Sequence, residues 1–462
     1  MSNVVVLDNG GGLIKAGQGG ERDPAVVIPN CLYRPLTSKK FLHPTTTTEE
    51  DLTSAAIRRP IDRGYLINPD LQREIWSHLF NSLLHVSPSS SSLLLTEPLF
   101  SLPSIQRSTD ELIFEDFGFN SLFVADSPSL VHLYESSRRP DSLLSEAQCS
   151  LVVDCGFSFT HVAPVFQNCT LNYGVKRIDL GGKALTNYLK ELVSYRSINV
   201  MDETFLMDDV KEKLCFVSLD VETDLQIARK QGKDNLFRCT YVLPDGVTHK
   251  KGYVEDPEAA QRHLRASPSA AMEPNKEAYQ LETIAKTEER KRVDLTKNEF
   301  DLMNERFLVP EMIFQPADLG MNEAGLAECV VRAVNACHPY LRPVLYQRWF
   351  YHYIDRWKYI VSSICRKTVS LIPAPLDCIN PNLRDNTVIY SHSYILNFRQ
   401  KDLRPLVPHE YQVKITTQND PILDVWRGGS LLASSPNFES TCVTKAEYEE
   451  HGSARCRRRF FH

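Results

Sequence analysis

The chain has 462 residues, of which 42% are hydrophobic and 24% charged, and its formal net charge is -6. This composition excludes an intrinsically disordered chain, and the acidic balance argues against a generally basic nucleic-acid-binding protein. The first apolar run ends at Asp8 and no apolar stretch is long enough to span a bilayer, so we expect neither a signal peptide nor a membrane partner. The twelve cysteines form no Cys-x-x-Cys pair, which predicts reduced thiols and no zinc site.

The first predicted element is a buried strand at residues 4–7 that runs directly into a glycine turn. Glycine adopts positive φ angles without steric cost, so the backbone N–H groups of such a turn could point together at an anion. A glycine cluster alone more often marks a plain hairpin. The residues that would surround a phosphate here are Asp8, Asn9, Gly10, Gly11, Gly12 and Lys15.

A helix is predicted next, and then a second copy of the strand and turn. Residues 68–84 have apolar residues at helical spacing, with Asn68 as a possible cap and Pro69 in the first turn. At residues 151–164 another apolar strand ends in Asp154 and Gly156. Two such hairpins predict a duplicated α/β domain with its ligand in the cleft between the halves, where each aspartate would hold magnesium through water.

Two charged segments remain in the second part of the chain. Residues 250–301 are rich in Glu, Lys, Arg and Ala, which predicts an inserted and partly helical arm. The arm is either a solvated face or a device that holds partners. The basic ending at residues 454–462 would be a nuclear address or a DNA contact, although short basic ends are usually solvated.

Several stretches resemble the actin family. "LDNGGGLIKAG" resembles its first phosphate hairpin, "RRPIDRGYLINPD" the following segment, "KEKLCFVSLD" a signature stretch, and "WRGGSLLASSPNFESTCVTKAEYEE" the C-terminal region. The resemblance covers nearly the whole chain except the arm and one later segment. It implies an α/β, actin-like duplicated RNase H-like fold, with a first half at residues 1–140 and a second half at residues 141–462 around a nucleotide cleft.

The resemblance also implies roles for individual residues. The glycine turn and its flanking residues, together with Asp154 and Gly156, would hold the phosphates of ATP, and Lys211 and Glu212 would meet the base and sugar. Phe157 departs from the pattern, because the family has an acid there. A bulky ring would then stand where backbone should approach phosphate.

Hydrolysis is not expected. His161 holds the family's place for orienting water, but the partner glutamine would fall near Ser127 or Pro128, and neither side chain replaces an amide. A lone buried histidine is more often structural. We therefore predict no catalytic residues and no enzyme activity.

Residues 348–400 form the atypical segment. They contain no glutamate and hold two of the four tryptophans, and no glycine occurs between Gly325 and Gly428. The family's glycine pair that closes over adenosine is therefore missing, and we expect ATP to bind weakly or not at all. Translated non-coding sequence, from a retained intron or a wrong splice choice, would explain the segment; a genuine family-specific insertion is the alternative.

The arm and the basic ending together resemble a nuclear branch of the family. This resemblance implies a non-catalytic subunit of a Swr-type chromatin-remodelling complex, which exchanges a variant histone into nucleosomes. Its partners would be the remodelling ATPase and accessory subunits, with indirect contact to nucleosomes, in the nucleus and in some cytoplasmic pool. The alternatives are an ATP-hydrolysing enzyme and a cytoskeletal filament, but residues 34–57 are too polar for a filament contact.

Overall fold

The structure is a computed structural model. It describes residues 3–35, 39–43, 55–138, 148–218, 220–230, 234–244, 249, 251–261, 263, 298–347, 349–353, 402–411, 413, 415–417 and 421–460.

Two six-stranded sheets form the centre of the two halves. The first has the order β19-β9-β8-β1-β2-β3. Its strands are β1 (Asn3–Asn9), β2 (Leu13–Gln18), β3 (Val26–Pro29), β8 (Ser91–Glu97), β9 (Ser121–Asp126) and β19 (Val443–Thr444). Two short hairpins lie between β3 and β8: β4 (Leu32–Arg34) with β5 (Ala56–Arg58), and β6 (Ile61–Asp62) with β7 (Tyr65–Leu66).

The second sheet has the order β12-β11-β10-β17-β18, with β13 also paired to β11. Its strands are β10 (Cys149–Cys155), β11 (Thr160–Phe166), β12 (Cys169–Thr170), β13 (Lys176–Ile178), β17 (Trp349–Tyr353) and β18 (Ile415–Thr417). A three-stranded sheet accompanies it, built from β14 (Cys239–Val242), β15 (Tyr253–Val254) and β16 (Glu299–Leu302).

The sheets repeat one arrangement. In the first, β1 is antiparallel to β2 and parallel to β8; in the second, β10 is antiparallel to β11 and parallel to β17. Asp8 lies opposite Lys15 in one hairpin, and Asp154 lies opposite His161 in the other. The predicted duplicated α/β fold is confirmed.

Helices cover both sheets. The predicted helix at residues 68–84 is present as α1 followed by a π-helical turn at Leu79–Leu83, and the Asn68 side chain accepts a 3.0 Å hydrogen bond from the Leu71 amide. The α-helices are α1 (Pro69–His78), α2 (Pro103–Glu111), α3 (Ser127–Arg138), α4 (Gly182–Arg196), α5 (Thr204–Leu214), α6 (Val221–Ala228), α7 (Pro257–Ala260), α8 (Glu305–Phe314), α9 (Leu326–Ala336), α10 (Arg342–Gln347), α11 (Asp424–Ala433), α12 (Phe438–Thr441), α13 (Lys445–His451) and α14 (Ser453–Cys456). No helix in these ranges is long and apolar enough to cross a membrane.

The halves share an apolar core cluster between the two sheets. Val6 of β1 and Val152 of β10 belong to this cluster, together with Leu130 of α3 and Trp426 of α11. The helices approach so closely that a Cβ on Gly428 would clash with the Leu130 carbonyl. This contact fixes the base of the cleft, so that the two hairpin turns face each other.

Two predicted boundaries need correction. The inserted arm is shorter than 250–301, because β15 and β16 both pair with β14 and Ala260 is buried, so the two ends of that range form part of the body of the second half. The C-terminal segment does not belong only to that half: β19 pairs with β9, since Val443 packs in the core of the first sheet. The atypical segment begins as a strand, β17, and its residues 354–400 lie outside the described part.

Candidate functional site: a cleft between two hairpins

A small cavity, partly open to solvent, lies between the two hairpin turns. It brings together six of the predicted residues: Asp8, Asn9, Gly10, Gly11, Asp154 and Gly156. The ends of β8 and α3 complete the polar wall with Thr96, Glu97 and Ser127, and Trp76 and Leu99 are among the apolar residues. The arrangement follows from the repeated strand and turn, which presents an aspartate at the same place in each half.

Asp8 is buried and fully engaged by neighbours. Its Oδ2 accepts a 2.8 Å hydrogen bond from Lys15 Nζ, and its Oδ1 accepts a 2.7 Å hydrogen bond from Thr96 Oγ1. Lys15 is itself completely buried and therefore neutralises Asp8 inside the first half. Lys15 is held as the internal counterion of Asp8.

Asp154 differs from Asp8 although the two occupy equivalent positions. Its Oδ1 is buried and has no hydrogen-bond partner among the described residues. Burial raises the pKa of Asp154 to about 7, the Asp8 carboxylate adds to that rise, and Lys15 opposes it. Near neutral pH Asp154 is therefore divided between its protonated and ionised forms.

His161 is buried beside the cavity, and its Nε2 has no partner in the described part of the chain. Burial and, second to it, the nearby Arg177 cation together lower its pKa to about 3. The ring lies 4.4 Å from that of Phe159, centroid to centroid. His161 is thus a neutral imidazole, and the cavity residues Ser127 and Pro128 offer it no amide.

Phe157 lies in the second turn and packs against the first turn, at the wall of the cavity. Its side chain is only 6% exposed, and a Cβ on Gly12 would meet the ring at 2.9 Å. The Arg59 guanidinium lies over the ring, 4.5 Å from its centroid, and donates long 3.4 Å hydrogen bonds to the carbonyls of Gly11 and Gly12. Phe157, the residue that departs from the family pattern, therefore brings the second turn into contact with the first through its ring.

Lys211 and Glu212 are not part of the cavity wall. Lys211 is completely buried on α5, where its Nζ donates to Asp208 Oδ1 at 2.7 Å and to Thr186 Oγ1 at 2.8 Å. Burial acts to raise the pKa of Asp208, but the Lys211 ammonium outweighs it, so the pKa of that carboxyl is lowered. Lys211 therefore supports the second half and is not presented to a ligand.

Two features of the site depart from the phosphate and base roles expected from the resemblance. The Phe157 ring packs against Gly12, and Lys211 pairs with Asp208. The segment where the family's glycine pair would close over adenosine lies mostly outside the described residues. Within the described ranges, no group of three His, Cys, Asp or Glu side chains is arranged to hold a metal ion.

The sequence did not single out Arg59, Phe159 or Arg177. Arg177 stacks over Phe159 at 4.4 Å, much as Arg59 stacks over Phe157. The available signal was the pair of aromatic residues in "GFSFTH", which lie together in the turn between β10 and β11.

Comparison with known proteins agrees with the fold. The sequence model of the actin family matches residues 1–349 and 379–461, so the unmatched residues 350–378 fall inside the atypical segment and the match resumes before Lys401. The chain is 66% identical to actin-related protein 6 of Arabidopsis thaliana over 466 aligned residues, which cover all of both chains. It is 31% identical to actin-related protein 6 of Dictyostelium discoideum, covering 100% of this chain and 94% of the other. The protein of the same name in Drosophila melanogaster is 30% identical, with 97% of each chain covered.

Proposed function

The chain belongs to the actin family, and on that premise we propose that it is a non-catalytic, actin-like subunit of a nuclear Swr-type chromatin-remodelling complex that exchanges a variant histone into nucleosomes. Similarity over the full length to proteins named actin-related protein 6 supports this role. A remodelling ATPase and accessory subunits would be its direct partners, and nucleosomes would be contacted through them. The nucleus would be its main location, beside a cytoplasmic pool.

The observation that carries the non-catalytic part is the Phe157 ring, which lies in the second turn and packs against Gly12 of the first. A phosphoryl-transfer enzyme works mainly by positioning the phosphate and stabilising its charge. Here an apolar ring stands against Gly12, and the cavity residues Ser127 and Pro128, which hold the place of the family's water-orienting glutamine, carry no side-chain amide. The cleft therefore serves the structure of the subunit and not a reaction.

We expect purified protein to release no phosphate above background in the presence of magnesium and ATP. Titration calorimetry should also detect no binding at micromolar concentrations, which corresponds to roughly -8 kcal/mol. Conventional actin, measured in parallel, is the positive control. Sustained turnover on the order of one per second would contradict the proposal.

Partner capture tests the rest of the proposal. Tagged protein added to nuclear extract should retain the remodelling ATPase and its accessory subunits, and it should not pellet as filaments. Retention of cytoskeletal proteins in place of remodeller subunits would exclude the proposed role.

The interior of the arm offers a sharper version of that experiment. Residues 264–297 lie outside the described part, whereas the arm's ends supply β15 and β16. Replacing only residues 264–297 with a short Gly-Ser linker should leave the melting temperature within a few degrees and abolish co-purification with the remodeller. The proposed docking role of the arm fails if this variant unfolds or still assembles.

A further inference from the structure

We propose that the cleft is held closed by a latch built from the chain's own residues, in which the β6–β7 hairpin of the first half is fastened to the second half by Asp62, Tyr65, Arg177 and Lys183, so that closure requires no nucleotide. The latch concerns the isolated chain and does not depend on which complex it joins.

The ion pair between Asp62 and Lys183 is the outer fastening. Asp62 lies on β6 and Lys183 at the start of α4, and the distance from Nζ to Oδ1 is 2.6 Å. The hydrogen bond from Lys183 is the main cause that holds the pKa of Asp62 below its usual value. Both side chains are nearly half exposed, so this pair alone makes a modest contribution.

Arg177 is the inner fastening. Its guanidinium donates to the Tyr65 hydroxyl and to the Arg63 carbonyl, each at 3.3 Å, and stacks over Phe159 at 4.4 Å. A 2.6 Å ion pair between Arg177 Nε and Asp179 Oδ1, both in the second half, orients the guanidinium. One side chain of the second half thus contacts the hairpin through a backbone carbonyl and a side-chain hydroxyl.

Gly64 shows how closely the hairpin is seated. Its φ is +80°, and a Cβ there would clash with the Phe159 ring. Arg59, the residue after β5, lies over the Phe157 ring. Two aromatic rings of the second half therefore contact the first half: Phe157 contacts a guanidinium and Phe159 contacts the backbone at Gly64. A ligand stabilises a closed cleft through contacts that it makes better in that state than in the open one, and contacts between the two halves themselves act in the same way. In this chain the side chains of the two halves supply them.

Hydrogen exchange of the intact protein, with and without magnesium and ATP, tests the latch. We expect the amides of residues 61–66 to be protected without nucleotide, with no further protection when magnesium and ATP are added. Asp62→Lys and Lys183→Asp should each speed their exchange about fivefold, and the double exchange Asp62→Lys/Lys183→Asp should restore protection. Arg177→Ala should speed exchange about tenfold.

A matched control is the exposed pair of Glu328 and Arg332 on α9, since Glu328→Lys should leave residues 61–66 unchanged. The inference is wrong if the hairpin of the wild-type protein exchanges freely and becomes protected only with magnesium and ATP. It is also wrong if the single charge reversals leave exchange unchanged, or if the double reversal fails to restore it. Failure of partner capture would leave these outcomes untouched, which separates the latch from the proposed function.

Discussion

Replacing Arg457 with alanine should lower the free energy of unfolding by about 3–5 kcal/mol. Arg457 is buried against two buried carboxylates: its Nη1 lies 2.7 Å from Glu97 Oε2, and its Nε lies 3.0 Å from both oxygens of Asp110. Removing the cation leaves two charges without compensation in a water-poor interior. Urea unfolding measures the loss.

The loss should depend on pH. Burial already raises the pKa of Glu97, and Arg457 is the first influence that opposes the rise. Without Arg457 the folded-state pKa rises further above the unfolded value, so the folded state binds more protons and its stability falls as the pH increases through that pKa. The deficit should therefore be larger at pH 8 than at pH 5.

Arg458→Ala is the matched control for that experiment. Its side chain is exposed next to Arg457, so the expected change in stability is within about 0.5 kcal/mol. Equal effects of the two substitutions would show that the buried ion cluster does not anchor the C-terminal segment.

Lys211→Met should also cost about 3–5 kcal/mol, in the complete absence of nucleotide. The substitution removes the lysine that pairs with Asp208, whose side chain is only 17% exposed, and Thr186 and the Gly182 carbonyl lose a donor. Urea unfolding of the ligand-free protein is again the measurement. A residue that served only a nucleotide would show no effect under these conditions.

The control for Lys211 is Lys213, which lies two residues further along α5. Lys213 pairs with Asp209 at 2.5 Å, but both side chains are about 40% exposed to water. Lys213→Met should therefore cost about 1 kcal/mol or less. If Lys211→Met behaved like Lys213→Met, the structural role given to Lys211 would be wrong.

Local patterns were enough to predict the framework of the site. The two turns were found because Asp8 and Asp154 each end an apolar strand and precede glycine, and both signals act over a few residues. The cap at Asn68 was found for the same reason, and the structure contains it. Phe157 was expected to place a bulky ring beside the phosphate turn, where the family has an acid, and the structure places the ring against Gly12. Its effect on phosphate binding stays a prediction.

Contacts between distant residues were not predictable. Arg457 lies in a run of basic residues that is typical of a solvated end, and its burial depends on Asp110, which is 347 residues away. Lys211 belongs to an ordinary charged stretch of helix, where nothing in the sequence marks one lysine as buried and the next as exposed. The short β15 has charged neighbours and too few residues to show strand periodicity.

The pairing of β19 with β9 has a consequence for synthesis. A ribosome makes β1 among the first residues and β19 among the last described ones, yet both strands belong to the same sheet. Until the last part of the chain emerges from the ribosome, Glu97 and Asp110 have no ion pair with Arg457, and β9 has no pairing with β19. The first sheet is therefore translated early but completed only when β19 is made. A product that stops before Val443 leaves the edge of β9 exposed, and an exposed strand edge promotes aggregation.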